Sequence, residues 1–288
     1  MSTIFAFVLS LSLTCFKLSA AKDGVDTCDW EGSGLRDSVI PIDLRCTRGY
    51  VKWHYPDGGL RITLTVGTSS GNDFRGYFRI EHNTSSFVII YVEGFRKLHR
   101  LYSRDDGMHP NLVRSFVSHN GKAVIYMESK SNLSSLTNDY LKMSYFLVPV
   151  RSDRDLHSDD FECRPCSDQE TLDMYCESEI VLEGAISSIN NIDELQVSEL
   201  TVKPTIVHKD LYRKSRLKNR TTHKAKYLFN HPLKCNAKAG LGSKLLIIGQ
   251  WMLGNPVIRC APTLTQWKRI RSEARLKNSP KTQCIAAD

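Results

Sequence analysis

Six of the nine cysteines fall into two groups: Cys163, Cys166 and Cys176 lie close together, while Cys235, Cys260 and Cys284 are widely spaced. A tight cluster facing a spread set reads as a staple that ties one end of a segment to its distant remainder. Whether such sulfurs form disulfides or hold a metal depends on the redox compartment, and the N-terminus bears on that. Residues 4–14 (IFAFVLSLSLT) form an apolar and small-residue run too short to span a bilayer. Ser19-Ala20-Ala21 then supply the small residues read by signal peptidase, and charged Lys22 follows. The pattern predicts a secretory signal peptide over residues 1–21, cleaved between Ala21 and Lys22, although its n-region lacks a basic side chain. No later run reaches the length of a membrane span, and residues 245–253 are interrupted by Gln250 and closed by Gly254. The expectation is a secreted, extracellular, soluble protein with no membrane span.

Cysteine arithmetic supports that compartment. Cys15 leaves with the signal peptide, so eight cysteines remain, which an oxidising environment would join as four disulfides. Zinc is the competing chemistry, because Cys163 and Cys166 have CxxC spacing and His208, His223 and His231 lie downstream. No second CxxC or HxxxH completes a tetrahedral set, so neither a metal nor any cofactor is expected.

The remaining chain is long enough for two ordinary domains, and charge divides it unevenly. Residues 201–288 carry 19 Lys and Arg against 3 Asp and Glu, whereas the whole chain is only +8. Such asymmetry suggests an electrostatic partner for the C-terminal part. Residues 151–162 (RSDRDLHSDDFE) are polar and acidic with almost nothing to bury, and they mark the expected boundary. The division is then 22–150 for a first domain, 151–162 for an acidic linker and 163–288 for a second.

Both halves read as mainly β. Val51, Trp53 and Tyr55 alternate with polar residues, Pro56-Asp57-Gly58-Gly59 supply turn chemistry, and Leu60, Ile62, Leu64 and Val66 alternate again. That pattern predicts a hairpin with one buried face. Residues 87–92, 123–127 and 143–148 add strands at sandwich-like spacing, and 180–186, 197–207 and 244–248 are strand candidates in the second half. Residues 163–176 have helical character. Residues 264–277 place Leu264, Trp267, Ile270 and Ala274 near one helical face, with basic residues opposite.

Several motifs resemble the meteorin family. The run Cys28-Asp29-Trp30-Glu31-Gly32-Ser33-Gly34-Leu35, then Leu44-Arg45-Cys46, Val51-Lys52-Trp53, Tyr55-Pro56 and Gly59-Leu60 are similar to its opening. Cys163-Arg164-Pro165-Cys166-Ser167-Asp168 and Arg259-Cys260-Ala261-Pro262 are similar to its second-half motifs, in the same order. The resemblance implies a CUB-like β-sandwich followed by a netrin-like (NTR) OB-type barrel with flanking helices. It also implies the pairing Cys163–Cys235, Cys166–Cys260 and Cys176–Cys284, with Cys28–Cys46 closing an N-terminal loop. A further cysteine pair found in the first domain of vertebrate members is absent. Without the resemblance, eight cysteines would leave 105 possible pairings open.

Asn83, Asn132 and Asn219 head N-glycosylation sequons. Arg213, Lys214 and Arg216 form one basic cluster, and Lys268, Arg269 and Arg271 repeat its spacing; together they are candidates for binding heparan sulfate or another sulfated glycosaminoglycan. Either could equally be a solvated face. Arg213 to Arg216 also fits a minimal convertase pattern. Nucleic acid is not an expected partner, since no nucleic-acid-binding motif accompanies the charge. No GxSxG elbow, HExxH helix or phosphate-binding glycine loop occurs, so a non-enzyme is expected. The family resemblance implies a secreted signalling factor, neurotrophic or cytokine-like, acting on a cell-surface receptor in glial differentiation and axon or neurite growth, with metabolic hormone roles in one branch. The alternative is an extracellular protease regulator or a matrix-binding protein acting through the NTR module. Inhibitors of that type chelate zinc with a free N-terminal cysteine amine, whereas Cys163 is internal.

Overall fold

A computed structural model describes residues 27–34, 37–67, 71–83, 87–130, 139–150, 162–211, 226–237, 241–276 and 284–285. The fold is mainly β, with fifteen strands and two α-helices among these residues.

The first ten strands form two five-stranded sheets. One has the order β1-β3-β10-β5-β8, from β1 (Trp30–Ser33), β3 (Arg48–His54), β5 (Phe74–Asn83), β8 (Arg114–Val117) and β10 (Tyr140–Pro149). The other has the order β2-β4-β9-β6-β7, from β2 (Val39–Leu44), β4 (Gly58–Thr65), β6 (Phe87–Glu93), β7 (Leu98–Ser103) and β9 (Lys122–Lys130). Alternate residues of both sheets meet in one core that includes Trp53, Phe74, Phe78, Leu60, Ile62 and Tyr145. This is a β-sandwich, each sheet burying one face against the other.

The predicted hairpin at 51–66 is not one. The buried positions Val51, Trp53, Leu60, Ile62 and Leu64 are as the alternation predicts, but β3 and β4 belong to different sheets. β3 already has β1 and β10 as neighbours, and β4 has β2 and β9, so neither has an edge left for the other. The intervening residues carry the chain across the core instead. Alternation specifies which side chains are buried, not which strand supplies the hydrogen bonds. The segment before β1 is tied down at Cys28, whose carbonyl accepts the Tyr145 hydroxyl at 2.7 Å. Gly49 permits that approach, because a β-carbon there would lie 1.9 Å from the same oxygen.

The second module is a closed barrel, β11-β12-β13-β15-β14, from β11 (Ile180–Ile192), β12 (Val197–Asp210), β13 (Tyr227–Pro232), β14 (Lys244–Met252) and β15 (Asn255–Cys260). Register shifts interrupt the long β11–β12 pairing; such bulges bend strands enough to close a small barrel. Ile180, Leu182, Leu245, Ile247 and Phe229 fill the interior. Val181, Leu246 and Ile248 point the other way and are covered by α1 (Asp168–Glu177) and α2 (Leu264–Leu276) through Tyr175, Trp267, Ile270 and Ala274. The four-residue apolar run 245–248 therefore reflects burial on both faces.

α1 is shorter than the predicted helical stretch 163–176. It begins at Asp168 because Ser167 and Glu170 form a capping box, the Ser167 hydroxyl accepting from the Glu170 amide and Glu170 accepting from the Ser167 amide. With no basic residue in its last turn, α1 takes a cation from elsewhere: Lys209 of β12 donates to the Tyr175 and Cys176 carbonyls at 3.3 and 2.8 Å.

Candidate functional site

The barrel sits on the outer face of the β1-β3-β10-β5-β8 sheet, and the place where it sits can be traced along β10. Leu141, Met143, Tyr145 and Leu147 enter the sandwich core. Phe146 and Val148, which point outward, are equally buried, with Tyr77 of β5, against Val113 and against Met252 and Leu253 of the barrel. Leu253 and Gly254 make the two-residue turn between β14 and β15, both with positive φ (51° and 86°). That conformation suits the twist of a hairpin but is unfavourable for leucine. The contact of Leu253 with the seam offsets the strain.

Polar groups frame this apolar patch. Arg48 reaches Glu179 at 2.9 Å, and the other oxygen of Glu179 accepts the Trp251 amide at 2.8 Å. On the opposite side Glu162 accepts the Tyr77 hydroxyl at 2.7 Å and pairs with Lys234 at 2.9 Å and Arg75 at 3.5 Å. Burial pushes the Glu162 carboxyl up. The hydrogen bonds from Tyr77 and Lys234 and the charges of Arg75 and Lys234 outweigh it, and its pKa lies below the usual carboxylate value. Burial, with the neighbouring Glu162 charge, raises the Tyr77 phenol. Burial also holds His231 below the usual histidine value.

Of these groups Tyr77 and Glu162 line a cleft of about 410 Å³ to which both modules contribute. Phe146, Val148 and Pro149 come from the sandwich, Met174 from α1, and Met252, Val257, Ile258 and Arg259 from the barrel. Glu162, the last residue of the expected linker, is an anchored member of this site, so the reading of 151–162 as a run with almost nothing to bury does not hold at that position. Residues 151–161 lie outside the described residues.

Each expected site residue has a definite place or lies outside that description. The structure joins Cys28 to Cys46, Cys163 to Cys235, Cys166 to Cys260 and Cys176 to Cys284. Both sulfurs of the CxxC pair are thus committed to disulfides and not to a metal. Asn83 ends β5, opposite Tyr140. Asn132, Asn219, Arg213, Lys214, Arg216, Ala21 and Lys22 fall outside the described residues. Lys268, Arg269 and Arg271 sit on α2, but they do not form an uncommitted basic face. Arg269 pairs with Asp168 at 2.7 Å and Glu273 at 3.0 Å, and Arg271 donates to the Ile285 carbonyl at 3.1 Å. Lys268 is exposed. The sequence signal for the seam was present but different in kind: the unbroken run Tyr145-Phe146-Leu147-Val148 has no polar face.

A two-module, disulfide-bonded β protein with this cysteine framework is a recognisable class, and comparison places it. Residues 30–155 match the family model described as the Meteorin-like protein N-terminal domain, and residues 165–274 match that described as Meteorin, C-terminal domain. The chain belongs to the meteorin family. It is 32% identical to a Meteorin-like protein of Xenopus laevis over 87% of each chain. With the Meteorin-like protein of Danio rerio it shares 28% identity over 96% of each chain, and with human Meteorin 26% over 94% of each.

Proposed function

We propose that the protein is a secreted, non-catalytic signalling factor that acts by binding a cell-surface receptor, with neurotrophic or cytokine-like effects such as glial differentiation and axon or neurite growth. The observation that carries this reading is the match of both halves of the chain to meteorin family models, over residues 30–155 and 165–274. In the same reading the sandwich (22–150) is a CUB-like domain and the barrel (163–288) an NTR domain. Protease inhibition through a cysteine amine is disfavoured because Cys163 is internal, so its nitrogen is a peptide amide. The basic cluster at Arg213, Lys214 and Arg216 adds retention near the source by heparan sulfate.

Purified, tagged protein added to dissociated neural and non-neural cells tests this. Saturable binding that survives heparinase and is confined to particular cell types is the expected result. Binding abolished by heparinase on all cells would replace the receptor reading with one of matrix retention.

A further inference from the structure

We propose that the cleft between the two modules is a binding site for an amphiphilic carboxylate, a small molecule with one carboxylate group on an aliphatic body. The volume, about 410 Å³, lies in the range of small-molecule pockets. Its wall is apolar through Phe146, Val148, Met174, Met252 and Val257. Two methionines in such a wall suit an irregular aliphatic chain, because the unbranched thioether adapts its rotamers to what it meets.

The polar anchor is Arg259. The other charged groups of the cleft are engaged: Arg164 forks onto Glu170, Gln169 donates to Asp173, Glu162 holds Tyr77, Lys234 and Arg75, and Glu177, which also lines the cleft, is partnered too. Arg259 alone among the cations lining the cleft has no hydrogen bond or ion pair from its guanidinium to any described residue. Glu162 and Tyr77 act on it only through space, and desolvation lowers its pKa. A guanidinium taken partly out of water with no partner is stabilised by an anion that can accept its fork, and a carboxylate fits that fork with two parallel hydrogen bonds. Its position is fixed covalently, since the adjacent Cys260 is bridged to Cys166, which lies just before the Ser167 cap of α1. A ligand here touches the sandwich, α1 and the barrel at once, so it binds the docked arrangement and stabilises it. This inference does not depend on the signalling reading.

The test is calorimetric titration of the full secreted chain with decanoate, decanol and acetate. Decanoate binds at a single saturable site and raises the melting temperature. Decanol binds about tenfold more weakly or worse, since it offers no charge to Arg259, and acetate gives no measurable heat because it lacks the apolar body. Arg259→Gln lowers decanoate affinity by at least about tenfold, and Arg259→Lys retains part of it. Val257→Trp, which fills the cleft and leaves the charge alone, abolishes binding and guards against misfolding of the Gln variant. Absence of saturable decanoate binding, equal binding of decanol, or unchanged affinity in a folded Arg259→Gln or Val257→Trp protein would overturn the proposal. Cell binding that persists in any of these variants leaves the receptor reading intact.

Discussion

The sandwich and the barrel reach stability by different means. Among the described residues the sandwich gathers 21 buried side chains into one cluster and carries one disulfide. The barrel module divides its buried residues into clusters of ten and eight, one under the helices and one inside the strands, and carries three disulfides. A small barrel has little interior, and its helix layer must be held on from outside. The bridges do this by attaching the segment around α1 to β15, to the residues after β13 and to the segment after α2. Divided cores and long-range staples go together because covalent closure substitutes for the burial a small module cannot achieve.

The sharpest way to break this comparison is to remove one staple. Replacing Cys166 and Cys260 together by serine opens a loop of 94 residues and should cost about 4–5 kcal/mol, with the barrel unfolding first in urea while the sandwich persists. A single transition for both modules would show instead that the seam makes them one cooperative unit. Trp53→Ala should follow closely, at about 3–5 kcal/mol, since this side chain is fully buried in the undivided core. Its loss should move the sandwich transition and leave disulfide mapping of the barrel unchanged.

The seam is expected to contribute less, and its contribution depends on pH. Because the folded pKa of Glu162 is depressed, its stabilisation is complete above the ordinary glutamate value and is lost as pH falls through the lower folded value. Glu162→Gln should therefore cost about 1 kcal/mol near neutrality, allowing for partial exposure, and nothing once wild type is protonated. Urea curves of the two proteins should converge in acid. His231 acts in a different window. Its depressed pKa makes the unfolded chain take up a proton first, so stability should begin to fall as pH drops below about 6.5. His231→Gln should flatten that decline. The smallest effect is expected at Arg269, which is exposed and paired with two carboxylates. Its replacement by alanine should barely move the melting temperature or heparin elution, whereas triple replacement of Arg213, Lys214 and Arg216 should lower the eluting salt substantially.

The seam was partly legible in the sequence, and its failures have a common cause. Glu162 looked like the end of a solvated acidic run, yet it is held among Tyr77, Arg75 and Lys234, residues 85, 87 and 72 positions away. Arg269 and Arg271 looked like a basic stripe because the sequence gives charge and period but not Asp168 or the Ile285 carbonyl, which fold back onto them. The predicted hairpin at 51–66 failed in the same way: its burial pattern was right, but the partner strands came from elsewhere.

The sequence by itself determined the period of several elements and therefore which of their side chains are buried. Alternation marked β3 and β4, short apolar runs marked β6, β9 and β10, the 264–277 pattern marked the buried stripe of α2, and the motifs around Cys163 and Cys260 marked the family. These are local or compositional properties, fixed by side-chain geometry within a few residues. Tertiary structure alone decided which strands share a sheet, which outward face receives the barrel and which charges find partners. Those outcomes depend on competition among groups distant in sequence for a limited number of edges, faces and counter-charges. Tyr145 to Val148 and Leu245 to Ile248 show the boundary between the two kinds of information. Each run announces that both its faces are covered, and neither can say by what.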